Sequence, residues 1–358
     1  MGSGSSALKA AVVGYGVSGS IFHAPLIAAH PEFMLAGIVT ANPQRAASAH
    51  QRHPETQVFA DLPTLMAAVD NGLDLDVAVL GTPPEGHVDQ ADLLMRRGIG
   101  VVVDKPFTPS AAEARQLMDT ARATDSLLTV FQNRRWDGDF LTVKQLVTRG
   151  QLGTVQSFES RFEWFSPSSG GWKDTTPTAR GGGILLDVGS HLVDQAIELF
   201  GPPKEYSAEL ARHTPGAGPD EDGFVSMLHA TGVRSRLWMN SKTPAVGPRF
   251  HVVGSGATFT SQDKDPQEAQ LADGVVPTAQ GYGSHARAQA RLTTPEGARP
   301  IDLVAGDYPE FYDRLAAALR GVGPLPVDPA ESTRVLEILE DIHSRHHVRQ
   351  SSFSGAQR

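Results

Sequence analysis

Asp187, His191, Asp194 and Glu198 follow one another at steps of four, three and four residues. On a helix that spacing puts all four side chains on one face. An imidazole flanked by carboxylates can take up and release a proton near neutral pH, which is what a general acid/base must do. The same stretch opens with Gly181-Gly-Gly183 and carries Gly189 inside it. Each glycine costs a helix roughly 1 kcal/mol relative to alanine, and glycine is used where something approaches the backbone closely. The competing explanation is a surface helix with a solvated polar stripe. Leu185, Leu192, Ala196 and Leu199 mark one apolar face, with Leu186, Val193 and Ile197 as a second.

A second glycine cluster, Gly14-Tyr-Gly16-Val-Ser18-Gly19, directly follows the apolar run Leu8–Val13 and opens a helical stretch. In that context the first glycine permits a tight turn and the second lets a pyrophosphate reach the backbone. The third allows close helix–strand packing, and the helix N-terminus offers N–H groups to phosphate. The next strand ends in Val39-Thr40-Ala41-Asn42, without the carboxylate that would bind an adenosine ribose 2′-hydroxyl, and Arg45 follows in the next helical turn. Thr40, Asn42 and Arg45 suit a 2′-phosphate, so NADP(H) is expected over NAD(H), which stays open; a merely solvated Arg45 is the alternative.

Alternating strands and helices must hold these residues. Leu8–Val13, Met34–Thr40, Val77–Gly81, Val101–Asp104 and Leu127–Phe131 read as strands buried on both faces. Asn42-Pro43 and Ser110-Ala-Ala-Glu113 read as helix starts between them. That order predicts a doubly wound parallel α/β domain over residues 1–131. From 132 to 358 the pattern changes to α+β. A helix at 138–149 precedes a strand at Val155–Phe165, and a helical block spans Gly183–Phe200. Strands at Tyr206–Ala211, Phe224–Ala230, Ser235–Asn240 and Phe250–Gly254 predict a mostly antiparallel sheet. Residues 262–300 read as irregular, and Tyr308–Arg320 and Ala330–His343 as closing helices.

Composition narrows the chemistry. The 358 residues contain no cysteine, which excludes disulfides, thiolate catalysis and Cys-ligated metal centres. A net charge of −9 argues against a nucleic-acid or anionic-membrane surface. No apolar run reaches the roughly 18 residues of a membrane span, so a cytoplasmic protein is expected. No metal site is expected either, and His343, His346 and His347 read as solvated.

These residues together resemble the Gfo/Idh/MocA oxidoreductase family. The resemblance runs over nearly the whole chain and rests on the loop at 14–19, Thr82-Pro83 with His87 beyond, Asp104-Lys105-Pro106, the Gly181–Asp194 segment, Gln132-Asn-Arg-Arg-Trp136 and Pro326-Val-Asp-Pro329. Phe22-His-Ala-Pro-Leu26 and Asn133–Phe140 are similar to its scyllo-inositol dehydrogenase-like branch, whose members favour NADP. The family's pattern departs here at Asp104, where glutamate is usual, and at Pro84-Glu85-Gly86, where asparagine often follows the proline. The resemblance implies a Rossmann domain followed by a domain with a large open sheet, assembled as a homodimer or homotetramer. It also implies that Thr82, Pro83, His87, Asp104 and Lys105 join Gly14, Gly16, Ser18 and Gly19 around the cofactor. Lys105, Asp187 and His191 would then face nicotinamide and substrate as the catalytic set, with Trp136, Trp164 and Trp172 lining a polyol pocket unless they are ordinary core aromatics. The expected reaction is hydride transfer between the nicotinamide and a secondary alcohol or ketone of a cyclitol or sugar. His191 or Lys105 would carry the proton. A dihydrodiol or tetrapyrrole substrate, or a non-catalytic dinucleotide sensor on the same fold, are the rival readings.

Overall fold

The computed structural model describes residues 6–166, 176–178, 181–285 and 290–350. They divide into two compact units. Unit 1 holds residues up to Asp137, with Asp265–Ser284 and Ala305–Thr333; unit 2 holds Gly138–Lys264, His285–Val304 and the chain from Arg334 onward. Where the sequence suggested one boundary near residue 131, two later segments are thus drawn into unit 1.

Unit 1 is built on six strands: β1 Leu8–Val13, β2 Phe33–Val39, β3 Gln57–Phe59, β4 Val77–Leu80, β5 Gly100–Val103 and β6 Leu128–Val130. They pair in the order β3-β2-β1-β4-β5-β6, parallel throughout. This is the doubly wound order whose switch point lies beside β1. Helices α1 Ala24–Ala29, α2 Pro43–Arg52, α3 Leu62–Asp70, α4 His87–Met95 and α5 Ala111–Thr124 connect the strands. Their starts follow the local chemistry. The Asn42 side chain accepts from Gln44 N and Arg45 N at the head of α2, and Ser110 Oγ accepts from Glu113 N at the head of α5. The apolar runs β1, β4 and β5 lose almost all solvent contact, as strands covered on both faces must.

Unit 2 carries helices α6 Gly138–Thr148 and α7 Ser190–Phe200 against a nine-stranded sheet. Its strands are β7 Val155–Glu163, β8 Pro203–Arg212, β9 Asp222–His229, β10 Arg234–Asn240, β11 Phe250–Gly254, β12 Thr258–Ser261, β13 Ala290–Thr294, β14 Gly297–Pro300 and β15 Arg349–Gln350. The order is β14-β13-β12-β11-β7-β10-β9-β8-β15, antiparallel except at β7/β10 and β8/β15. Phe158, Leu237, Met239, Phe250 and Val252 alternate inward and pack with Leu192, Val193 and Ala196 of α7 into one core.

The expectation of an irregular excursion over 262–300 is corrected. That region holds α8 Gln267–Ala272 together with β13 and β14. β14 is exposed at every residue, so no apolar alternation announced it. α9 Pro309–Leu319 buries Phe311, Tyr312 and Leu315 in unit 1's core, and α10 runs over Pro329–Arg345. Among the described residues no helix is long and apolar enough to cross a membrane, and no group of three or more His, Asp or Glu is gathered to hold a metal.

Candidate active site

The glycine loop lies at the switch point, between β1 and a π turn at Ser18–His23. Its three glycines serve different ends. Gly14 has φ +97°, and a Cβ there would lie 2.8 Å from the Gly81 backbone; a Cβ on Gly19 would lie 2.0 Å from Gly14 O. The fold itself demands these two. Gly16 has ordinary backbone geometry, and a Cβ there would meet only Arg45 Nη1, at 3.8 Å. Among the described residues nothing crowds a Cβ at 16, so glycine there leaves the space in front of the loop open. Ser18 Oγ is buried beside the loop with no hydrogen-bond partner. An uncrowded backbone and an unsatisfied hydroxyl at a parallel-sheet switch point fit a dinucleotide pyrophosphate.

At the end of β2, Thr40 is buried and its Oγ1 accepts from Asn42 N at 3.4 Å. Asn42 Oδ1 is occupied in capping α2, at 2.9 Å from Gln44 N and 3.0 Å from Arg45 N. Asn42 and those two N–H groups satisfy one another, so Asn42 serves the helix rather than a ligand. The exposed Arg45 reaches back over the loop instead of pointing away from it. Its Nη1 stands 3.8 Å from where a Cβ on Gly16 would be.

Gly81 N donates to Val13 O, setting the end of β4 against the glycine loop. Thr82 Oγ1 donates to Gln90 Oε1 at 2.7 Å, and Pro83 is exposed ahead of a 3-10 turn at Pro84–Gly86. His87 does not present a face to a cofactor. It is fully buried, with Nε2 at 2.8 Å from Thr82 O and Nδ1 at 3.0 Å from Phe107 O. A neutral ring donates to one of these carbonyls. Burial pulls its pKa below the ordinary imidazole range, and the two carbonyls and Asp104 offset only part of that. His87 therefore ties the turn after β4 to the segment after β5. Asp104 also looks inward: Oδ1 accepts from Lys105 N at 2.7 Å, and Oδ2 faces the buried His23 at 4.0 Å. Its carboxylate holds the backbone at Lys105, whose own side chain is half-buried.

In unit 2 the glycine-led segment is not one uniform helix. Leu185–Gly189 winds as a π turn before α7 begins at Ser190. Asp187 lies in the wide turn and His191 in the first turn of α7. The polar stripe is not a solvated face, because His191 is 3% exposed and Asp194 2%. Buried polar side chains must be satisfied from within the fold. Gln195, next to Asp194, approaches the buried Arg249, whose Nη2 lies 3.3 Å from Gln195 Oε1 and whose Nε lies 3.1 Å from Asp139 Oδ2. Glu198, the outermost member, pairs with Lys144 Nζ at 2.6 Å. Gly183 and Gly189 answer to packing rather than to a ligand. A Cβ on Gly189 would lie 2.7 Å from Met239 Sδ, and one on Gly183 would lie 2.3 Å from Asp220 Oδ1.

Trp136 is corrected from a pocket wall to a core residue: it is 5% exposed and stacks edge-on against Phe311 within unit 1. Trp164 is half-buried against unit 2's core, with Lys264 Nζ 5.7 Å from its ring. Trp172 lies outside the described residues. His343, read from sequence as solvated, contacts the buried Asp220 at 3.3 Å. Arg249, Asp139 and Asp220 escaped the sequence reading because each finds its partner far along the chain and none repeats with a period.

Residues 8–132 match the family described as "Oxidoreductase family, NAD-binding Rossmann fold", and residues 140–260 match the "GFO/IDH/MocA C-terminal domain". The uncharacterized oxidoreductase YdgJ of Escherichia coli is 35% identical over 343 residues, covering 93% of this chain and 94% of its own. The scyllo-inositol 2-dehydrogenase (NADP(+)) IolW of Bacillus subtilis is 31% identical over 93% of this chain and 92% of its own. The solved structure of the Yersinia pestis protein YPO2259 superposes with a TM-score of 0.86 at 32% identity, over 96% of this chain and 97% of that one. With a parallel-sheet switch point shaped for a dinucleotide and this likeness along nearly its full length, the chain belongs to the Gfo/Idh/MocA family of NAD(P)-binding oxidoreductases.

Proposed function

We propose that the protein is an NADP(H)-dependent dehydrogenase or reductase acting on a secondary alcohol or ketone of a cyclitol or sugar. The observation that carries the cofactor choice is Arg45 poised over Gly16, with no carboxylate at the end of β2. A 2′-phosphate there gains a charge-assisted hydrogen bond, whereas a bare ribose finds no acidic partner. The substrate class is supported by the name of the Bacillus subtilis relative, a scyllo-inositol 2-dehydrogenase.

Gly14, Gly16, Ser18 and Gly19 would hold the pyrophosphate, with Thr40 and Arg45 at the adenosine ribose and Thr82 and Pro83 along the turn after β4. The nicotinamide, when bound, supplies the hydride acceptor or donor. His191 takes the hydroxyl proton at a ring nitrogen during oxidation and returns it in reduction. Lys105 Nζ donates a hydrogen bond to the reacting oxygen and stabilises the negative charge that develops there. Asp187, on the wide turn before α7, orients His191 or holds a neighbouring substrate hydroxyl.

A panel of inositols, keto-inositols and aldoses, assayed with each cofactor at the absorbance of the reduced nicotinamide, tests this reading. Turnover of at least one cyclitol or sugar with NADP(H) is expected. Turnover confined to dihydrodiols or tetrapyrroles, or none with any carbonyl or carbinol substrate, overturns it.

A further inference from the structure

Asp220 belongs to none of the motifs that marked the site. It lies between β8 and β9 and is buried. Its backbone carbonyl accepts from Ile184 N at 3.0 Å, and its Oδ2 accepts from Leu185 N at 2.7 Å. These are N–H groups at the entry of the wide turn, which helix geometry leaves without a partner of their own. A carboxylate there also meets the positive end of the helix dipole. Its other oxygen, Oδ1, stands 3.3 Å from Nε2 of His343 on α10. Gly183 has φ +100° and leaves the space into which the carboxylate fits. The third glycine of the leader is therefore explained by Asp220.

We propose that Asp220, held by His343, is a positioning residue: it fixes the entry of the wide turn and so the placement of Asp187 and His191. The proposal rests on the reading of those two residues as catalytic. A proton carrier must be held within about 0.5 Å of its productive place, and a displacement of about 1 Å can cost on the order of 100-fold in rate. A cap that served stability alone would lower the folded fraction and leave the turnover of folded molecules intact.

Two pairs of variants separate these roles in the full chain. Asp220→Ala removes the acceptor for Leu185 N, whereas Asp220→Asn keeps an oxygen there. His343→Leu removes the donor facing Asp220, whereas His343→Gln keeps one. Hydrogen–deuterium exchange of the peptide spanning 183–192 reads the anchoring without any turnover. Kinetics with scyllo-inositol and NADP⁺ as the probe pair read its consequence. Asp220→Ala and His343→Leu should speed exchange across 183–192 and lower kcat by about 10- to 100-fold. The KM for NADP⁺ should stay within about twofold, and the two conservative variants should recover most of both losses. Unchanged exchange at 183–192 overturns the proposal, as does a kcat loss that Asn and Gln do not recover. If Asp220→Ala does not fold, the His343 pair decides alone. Full turnover in His191→Asn would instead overturn the catalytic reading, and the exchange data would still decide the anchoring.

Discussion

Nε2 of His23 stands 4.0 Å from Oδ2 of Asp104, one methylene short of a hydrogen bond. The opposite ring nitrogen, Nδ1, lies 2.7 Å from the Tyr312 hydroxyl, and the fully buried imidazole packs against Phe131 at 4.3 Å between centroids. Burial pulls the His23 pKa down to about 4, with the Asp104 charge offsetting only part of the cost. Asp104 meanwhile uses its other oxygen on Lys105 N. A neutral histidine thus backs the carboxylate that fixes the lysine loop.

Stability should therefore fall in mild acid. In the unfolded chain His23 takes a proton below about pH 6.5; in the native protein it does so only below about 4. Between those values the unfolded state binds more protons, so stability drops as pH falls from 6.5 towards 4. From pH 7 to pH 5 the share of His23 is about 2 kcal/mol. In urea unfolding, His23→Gln should lose about that much less than the parent protein over the same interval. Equal losses would assign the titration to another group.

Asp104→Glu should close the gap to His23, since an added methylene extends the carboxylate by about one C–C bond length, roughly 1.5 Å. A hydrogen-bonded carboxylate favours the imidazolium, so the His23 pKa should rise. Its ring resonance, followed by NMR titration, reports this directly. An unmoved titration would mean that the longer side chain turns elsewhere.

What was legible in the sequence was whatever repeats or punctuates. The β1, β4 and β5 runs and the three glycines of the loop have spacings that only a few local structures satisfy. The polar stripe from Asp187 to Glu198 was visible for the same reason, but a 3.6-residue period does not reveal that Leu185–Gly189 winds more widely. The reason for Gly183 and Gly189 was not legible, because Asp220 and Met239 reach them from other elements. The sequence pattern alone puts His87 and Asp104 at a cofactor. Sequence could not show that backbone groups at Thr82, Phe107 and Lys105 occupy their polar atoms.

The three loop glycines should separate on mutation. Gly19→Ala forces a methyl into Gly14 O, so it should fold poorly or lose stability by several kcal/mol. Gly16→Val should fold normally and weaken NADPH by about tenfold or more, because its Cβ meets nothing nearer than Arg45 Nη1 while its methyls fill the open space where a pyrophosphate would approach. Circular dichroism with thermal melting, followed by NADPH fluorescence titration, distinguishes the two. Normal cofactor binding by folded Gly16→Val would mean that the open space is not the pyrophosphate site.

Arg45 should set the cofactor preference. A hydrogen bond to a charged partner contributes about 1.5–3 kcal/mol, so Arg45→Ala should weaken NADPH by about tenfold or more. NADH, without a 2′-phosphate, should change by less than about twofold. Titration of both reduced cofactors against parent and variant measures this. Equal loss for the two would place Arg45 at the pyrophosphate instead, and a parent protein preferring NADH would remove the argument.

His191 should prove to be the proton carrier. It is almost fully buried at the start of α7, next to a wide turn that brings Asp187 before it. A solvated stripe would not need a buried ring on a helix whose Gln195 and Glu198 meet Arg249 and Lys144 and whose leading turn is held by Asp220. His191→Asn keeps polarity and approximate size but cannot titrate near neutral pH. General acid/base catalysis contributes about 10²–10⁴-fold, so kcat with the substrate found by the panel should fall by that factor. NADPH affinity should hold, because the loop at 14–19 and Arg45 are untouched. The pH–rate profile should lose its histidine limb where proton transfer limits the rate. Lys105→Met is the counter-test: loss of the same limb there, with near-normal turnover in a well-folded His191→Asn protein, would move the proton to the lysine. A limb lost only in His191→Asn leaves Lys105 the task its ammonium is suited to, holding the oxygen while the imidazole takes its proton.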